Sequence, residues 1–290
     1  YAAYNPGEIS WLASKIKPDW AIITGLTPQH LATFGSMENI IKAKAELIQA
    51  LPENSLVFLN AEDKGTLKIL QKTADSKDLT SKQIIAYSGK KAQIKLTAPT
   101  LDKNGRLGFT YKNHKVQTRL IGYRSLSIVQ AGIAIAQQLL LPEKDIINQL
   151  ESFIPPSYFL NFKQTQQGYW MLDDGRTTNP AAFTDIIQLT KEIASLKKIG
   201  HCYLITSGII DLGKQSEQIH QQLAKDARPI FEKVIYTGLP GKKQFLVTFK
   251  NDLIDQNTEI KQTLDNLTKN DLLVIEGWVP LWLKNYLFAR

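Results

Sequence analysis

A cation placed where a greasy side chain belongs is the first feature that could do chemistry. On a wheel of roughly 100° per residue, Ile40, Ile41, Leu47, Ile48 and Leu51 share one face of a helix over 36–51, and Lys42, Glu46 and Gln49 share the other. Lys44 falls in the middle of the apolar face. Burying an ammonium without compensation is expensive. Either the stem packs and the head snorkels to water, or the amine is chemically altered or held at a depressed pKa in a site. His30 lies in the loop before this helix, and a short apolar run over 20–24 precedes that loop. A single loop histidine is ordinarily a surface or capping residue, yet imidazole is also a common metal ligand. Ligands of open parallel sheets lie beyond the carboxyl ends of strands, so His30 and Lys44 can face one crevice.

A second constellation reads Asp173-Asp174-Gly175-Arg176-Thr177-Thr178-Asn179-Pro180 after an apolar run over 168–172. A carboxylate at a strand end can hold ribose hydroxyls, an arginine can pair with phosphate oxygens, and a helix N-terminus favours anions. The alternative is helix capping, with Thr178 or Asn179 as N-cap and Pro180 at the first helical position.

The elements that must carry these groups alternate. Helical patterns over 8–17, 36–51 and 64–73 enclose apolar strands over 20–24 and 55–60, an order that predicts a parallel sheet covered by helices. Short strands over 83–87, 93–96, 107–111 and 115–120, with a Lys103-Asn104-Gly105 turn, predict an antiparallel meander. Helices over 125–140 and 143–153 follow. Pro155-Pro156 marks a boundary, giving domains 1–155 and 156–290. Beyond it, strands over 168–172, 202–206, 233–236 and 271–275 alternate with helices over 179–196, 214–231 and 252–267, which predicts a second, Rossmann-like α/β domain.

Composition excludes several classes. Hydrophobic residues make up 43% and charged residues 21%, a globular balance. The longest near-apolar stretch, 128–141, is interrupted by Gln130, Gln137 and Gln138 and is too short to span a bilayer. A single cysteine, Cys202, excludes an internal disulfide and fits a reducing compartment. The net charge of +8 suits anionic ligands or a merely solvated lysine-rich surface. No basic run interleaves with aromatics as in a nucleic-acid groove. The chain opens on Tyr1 inside what reads as mid-domain sequence, so further residues are expected upstream.

Several blocks follow one another in order: Asn5-Pro6-Gly7-Glu8-Ile9, Lys17-Pro18-Asp19 with Ile22-Ile23-Thr24, His30-Leu31-Ala32-Thr33-Phe34-Gly35-Ser36, Lys42-Ala43-Lys44-Ala45-Glu46, Leu51-Pro52-Glu53-Asn54 and Leu59-Asn60-Ala61-Glu62-Asp63. Together they resemble the central domain of the Mur ligases of bacterial cell-wall synthesis, nearest the branch that adds D-alanyl-D-alanine. The 174–180 turn, and 206–213 with His220, resemble the family's C-terminal domain. The resemblance implies an α/β ligase with a Mur central domain, incomplete at its N-terminus, and a Rossmann-like C-terminal domain. It implies that Lys44 is carbamylated by CO₂ and that, with His30, it holds Mg²⁺. It further implies that Asp174, Arg176, Thr178, Asn179 and Asn60 contact ATP. The implied reaction is ATP-dependent amide formation through an acyl phosphate, with a UDP-MurNAc-peptide and a dipeptide as substrates, by a cytoplasmic monomer without nucleic-acid partners.

The sequence departs from that pattern in places. It contains no Walker A loop: Gly238-Leu239-Pro240-Gly241-Lys242-Lys243 lacks the glycine spacing and the Ser/Thr after lysine. The loop and a magnesium-binding glutamate are expected upstream of Tyr1. Where the family has Gly-x-His-Asn, this chain has Gly122-Tyr123-Arg124-Ser125, and Pro156-Ser157-Tyr158-Phe159 replaces an expected Gly-Arg. These departures leave two alternatives: a non-catalytic Mur-like binding protein, or an amide ligase of the folylpolyglutamate or cyanophycin type.

Overall fold

The computed structural model describes residues 3–28, 31–74, 81–90, 92–156, 159–176 and 178–288. His30 therefore lies outside the described residues, as does Thr177. The chain divides into two compact units: 1–100, 108–118 and 124–153 form the first, and 101–107, 119–123 and 154–290 the second.

In the first unit, β1 (Trp20–Ile23), β2 (Leu56–Leu59) and β3 (Gln83–Ala86) form a parallel sheet in the order β1-β2-β3. The helices are α1 (Glu8–Ile16), α2 (Leu31–Phe34), α3 (Met37–Gln49) and α4 (Lys64–Ala74). Ile9, Ile40, Ile48 and Ile69 pack onto Ala21, Ile23, Val57 and Leu59 of the sheet. Strand β2 is buried throughout, as a central parallel strand must be. Strand β1 is an edge and leaves Trp20 and Ile22 partly exposed. Two expectations fail here. The run over 83–87 joins the parallel sheet rather than the meander, because its alternate residues meet β2. No strand forms over 93–96; the meander instead starts at β4 (Thr97–Leu101), followed by β5 (Arg106–Tyr111) and β6 (His114–Ile121). Helices α5 (Ser125–Gln138) and α6 (Glu143–Ser152) close the unit. Gln130, which breaks the apolar run in sequence, is buried and donates to Ile94 O at 3.1 Å, satisfying the loop that replaces the missing strand.

The second unit holds β7 (Asn161–Gln164), β8 (Trp170–Asp174), β9 (His201–Thr206), β10 (Lys233–Tyr236), β11 (Leu253–Ile254) and β12 (Asp271–Glu276), ordered β11-β10-β9-β12-β8-β7. All neighbours are parallel except β7 with β8. Alternation sorts the strand residues between two cores. Leu172, Leu204, Val234 and Val274 meet α7 (Pro180–Lys197), α8 (Ser216–Ala227) and α9 (Lys242–Phe249). Met171, Ile205, Ile235 and Leu273 meet α10 (Asn257–Asp265) and α11 (Leu281–Phe288). Strand β8 starts two residues later than the apolar run suggests, so both aspartates lie inside it. Helices α9 and α11 and strands β7 and β11 were not anticipated; each is short, and β11 lies within the expected helix 252–267. A single cut at Pro155-Pro156 also misses two meander segments. Leu101 and Ile121 pack on the second unit's core, and a Cβ on Gly105 would stand 3.0 Å from Ile193.

Candidate functional site

In the first unit the polar groups gather at the carboxyl ends of β1, β2 and β3, and Asn60 ties them together. Its backbone N–H donates to Ile23 O at 3.0 Å and its Nδ2 to Thr24 O at 2.8 Å. Its Oδ1 accepts from Glu62 N at 3.2 Å and from the Ser88 hydroxyl, while its carbonyl accepts from the Thr66 hydroxyl. Ser88 and Thr66 are fully buried. The Asn60 side chain is thus engaged by protein groups and sets the relative heights of three strand ends. Asp63 does related work: its Oδ1 caps α4 through Thr66 N at 2.7 Å and holds Leu26 N at 3.1 Å. Burial, aided by the Asp63 charge, pushes the Tyr87 hydroxyl up to about 12. Gly65 is required by close approach, since a Cβ there would lie 2.5 Å from the Leu26 side chain.

Lys44 projects from α3, which starts at Ser36, whose Oγ accepts from Asn39 N at 3.2 Å. It is half-buried between the fully enclosed Ala43 and Ala45, and burial pulls its ammonium below the ordinary lysine range. The opposite face is not simply solvent-facing, contrary to the wheel. Glu46 is partly buried and caps α1 from across the unit, accepting from Gly7 N at 2.7 Å and Ser10 N at 3.0 Å. Gly7 itself has no capping side chain. The wheel could not show this, because it records one helix and not its neighbour.

In the second unit the acidic turn sits at the carboxyl end of β8, beside that of β12. Register pairs Asp174 with Glu276 and Asp173 with Ile275. Asp173 Oδ1 accepts from Gly175 N at 3.0 Å. A Cβ on Gly175 would come 2.9 Å from that oxygen, so a larger residue there would push the Asp173 carboxylate off its hydrogen bond. Asn179 is the N-cap of α7, accepting from Ala181 N at 3.1 Å and Ala182 N at 3.0 Å, with Pro180 at the first turn. Thr178 donates its hydroxyl to the fully buried Glu276. Thr178 and Asn179 therefore shape the turn, and Asp174 and Arg176 are its partly buried and exposed members respectively. Glu276 escaped notice in the sequence. Yet it ends an apolar strand just as Asp174 does, and that signal was available.

The His220 ring is fully buried beside the next strand end. Its Nε2 accepts from Ile209 N at 3.0 Å, and Nδ1 donates to Ser216 O at 2.7 Å. Burial keeps its pKa below the usual histidine value. This histidine clamps the 206–213 loop.

Among the described residues, no group of three or more His, Cys, Asp or Glu side chains could hold a metal ion, and no helix is long and apolar enough to cross a membrane.

Residues 2–136 match the sequence model of the Mur ligase middle domain. The chain is 25% identical over 257 residues to the UDP-N-acetylmuramoyl-tripeptide--D-alanyl-D-alanine ligase of Escherichia coli K12, covering 81% of this chain and 51% of that protein. It is 25% identical over 283 residues to the Bacillus subtilis 168 enzyme of the same name, covering 93% and 59%. The fold is similar to that of MurF from Acinetobacter baumannii, with a TM-score of 0.79 at 20% identity over 99% of this chain and 62% of that one. It is also similar to MurF from Thermotoga maritima in complex with ADP, with a TM-score of 0.76 at 20% identity over 96% and 62%. The chain thus spans little more than half the length of these curated relatives. The match over 2–136 is thus to the Mur ligase middle domain, and the fold along nearly all of the chain is similar to that of Mur ligases.

Proposed function

We propose that the chain forms part of an ATP-dependent carboxylate–amine ligase of peptidoglycan-precursor synthesis, which joins D-alanyl-D-alanine to a UDP-MurNAc-tripeptide in the cytoplasm. The observation that carries this reading is Lys44, a half-buried amine whose pKa burial lowers, inside the segment that matches the Mur ligase middle domain. A lowered pKa enlarges the neutral fraction, which is the nucleophilic form. The nitrogen bonds to the carbon of CO₂ and releases a proton, leaving a carboxylate on the lysine. That oxygen anion and the His30 imidazole suit Mg²⁺, which typically takes one or two protein carboxylates and completes its shell with phosphate and water oxygens. The ion would neutralise charge on the transferred phosphoryl group.

In the same reading Asp174 holds ribose hydroxyls and Arg176 the phosphates. Thr178 and Asn179 keep the turn in shape, and Asn60 fixes the strand ends in place of contacting nucleotide. A substrate carboxylate oxygen attacks the γ-phosphorus as the bond to ADP breaks. The amine nitrogen then attacks the acyl phosphate carbon, and phosphate leaves with the C–O bonding pair while the amine proton passes to solvent. The 290 residues contain no Walker A loop, so turnover requires such a loop on additional residues, and these residues alone release no phosphate from ATP.

The test is ¹³C NMR of the chain in ¹³C-bicarbonate at mildly alkaline pH. A carbamate carbonyl signal that disappears in Lys44→Ala is expected. If the signal is missing from the unmodified chain, or survives in Lys44→Ala, the lysine assignment is wrong.

A further inference from the structure

Helix α9 of the second unit turns apolar side chains both inward and outward. Phe245 and Phe249 point into the core, where Phe245 meets Tyr236 and Phe183. On a wheel of roughly 100° per residue, Val247 falls opposite that pair, and Lys243 and Leu246 share its outer arc. Leu246 is 50% exposed and Val247 70%. Leu239, in the turn that leads into the helix, is 85% exposed.

The turn holds Leu239 in that position. The Tyr236 hydroxyl donates to Pro240 O, Leu239 O accepts from Lys242 N at 3.2 Å, and Gly241 takes φ +75°. The 208–210 loop lies against the same turn, since a Cβ on Gly208 would come 2.0 Å from Pro240 O, and it adds Ile210, 69% exposed. Scattered exposed apolar residues need no explanation. Four around one short helix and its entry turn form a patch of the kind that meets a protein partner or a membrane.

The charges choose between the two. Over 237–251 the chain carries Lys242, Lys243 and Lys250 and no acid. The acids that follow are used internally: Asp255 pairs with Lys242 at 2.6 Å and Asp252 with Arg228 at 2.9 Å. Asp211, beside Ile210, limits the patch on that side. Lys243 and Lys250 stay exposed among the aliphatic residues. Protein interfaces are depleted in lysine and draw on aromatic residues and arginine, whereas lysine interleaved with aliphatic side chains suits the boundary of a lipid bilayer.

We infer that this face of the second unit binds the surface of an anionic phospholipid bilayer. Leu239, Leu246 and Val247 enter the boundary between head groups and acyl chains, and Lys243 and Lys250 meet lipid phosphates. The attachment is peripheral, as no helix among the described residues is long and apolar enough to cross. It uses neither Lys44 nor the acidic turn, so it stands apart from the ligase reading.

Cosedimentation of the 290-residue chain with vesicles tests it, using phosphatidylcholine alone and phosphatidylcholine mixed with phosphatidylglycerol. Two lysines at the surface should favour the anionic vesicles by about tenfold or more. That preference should vanish at about 1 M salt, where the screening length falls to about 3 Å, and in the double variant Lys243→Gln with Lys250→Gln. Val247→Asp and, separately, Leu239→Ser should weaken binding to the anionic vesicles about tenfold; both side chains lie outside the core, and thermal melts check that each variant folds. Leu140→Asp, at an 89% exposed leucine of the first unit, should leave binding unchanged. Equal binding to both vesicles, or none to either, overturns the inference. Anionic binding that survives both apolar substitutions overturns it as well, because the net charge of +8 alone would then explain it. Self-association that Val247→Asp abolishes, without vesicle binding, assigns the face to a second copy of the chain and overturns it too.

Discussion

Replacing Asn60 separates a structural role from a nucleotide contact, because the two predict opposite results. In Asn60→Ala, Thr24 O loses the donor at 2.8 Å, Glu62 N loses its nearer acceptor at 3.2 Å and keeps only Ser88 Oγ at 3.4 Å, and the fully buried Ser88 hydroxyl loses the acceptor for its proton. Each hydrogen bond contributes about 1 kcal/mol net, and an orphaned buried group costs about 1–3 kcal/mol. Since Asn60 is only 8% exposed, water can rescue little. The expected loss is about 2–4 kcal/mol. Asn60→Asp is harsher at neutral pH, since a carboxylate oxygen then faces the Thr24 carbonyl where an N–H stood. Its folded pKa is raised, so its penalty shrinks as pH falls through that value and the protonated acid again donates. Urea unfolding gives the free energy, and hydrogen exchange over 20–26, 56–63 and 83–89 reports on the three strand ends. A change under about 0.5 kcal/mol, within the range of neutral surface substitutions, together with weakened ADP binding, would refute the structural argument and return Asn60 to the nucleotide.

Four further substitutions probe other joints. His220 is held neutral with a depressed pKa. Its contribution to stability is therefore complete above the unfolded value of roughly 6.5 and is lost as pH falls below it toward the folded value. The urea midpoint should drop between about pH 7.5 and pH 5.5, and His220→Gln should flatten that slope; a pH-independent midpoint in the unmodified chain contradicts this. Gly241 has φ +75° and its Cβ would lie 2.1 Å from the His220 ring, so Gly241→Ala should cost about 2–5 kcal/mol. Gly132, in α5 with nothing within 4 Å, serves as the contrast: Gly132→Ala should stabilise by about 0.5–1 kcal/mol, and thermal melts of the pair check both signs. Glu46→Ala removes the only side-chain acceptor at the start of α1 described for Gly7 N and Ser10 N; a loss of about 1–2 kcal/mol is expected, read as faster exchange of amides over 7–11.

The difference between what the sequence revealed and what it hid follows from the range of the interactions. Elements whose burial repeats along their own length were readable: α3 and β2 show an apolar period that a wheel or a short run detects, and Asn179-Pro180 announces the start of α7. Elements defined by a distant partner were not. The run over 83–87 has the same local pattern whether it joins a meander or a parallel sheet, and only its pairing with β2 decides. Glu46 looks like a solvated charge until α1 is placed over it. Phe159 comes beside Trp278 and Phe288, more than a hundred residues further along the chain, only because β8 and β12 are neighbours, although the chain reaches β12 last of all.

The same distinction governs the candidate site. Lys44 was legible because its misfit is local: a charge on an apolar stripe is anomalous whatever surrounds the helix, and the half-burial that lowers its pKa follows from that stripe. The family resemblance implies that Thr178 contacts ATP, and its own residue pattern allows an N-cap; the fold adds Glu276, from nearly one hundred residues away, as the acceptor of its hydroxyl. Substitution of Thr178, Asn179 and Asn60, whose side chains hold the turn and the strand ends, should therefore be felt first by the fold.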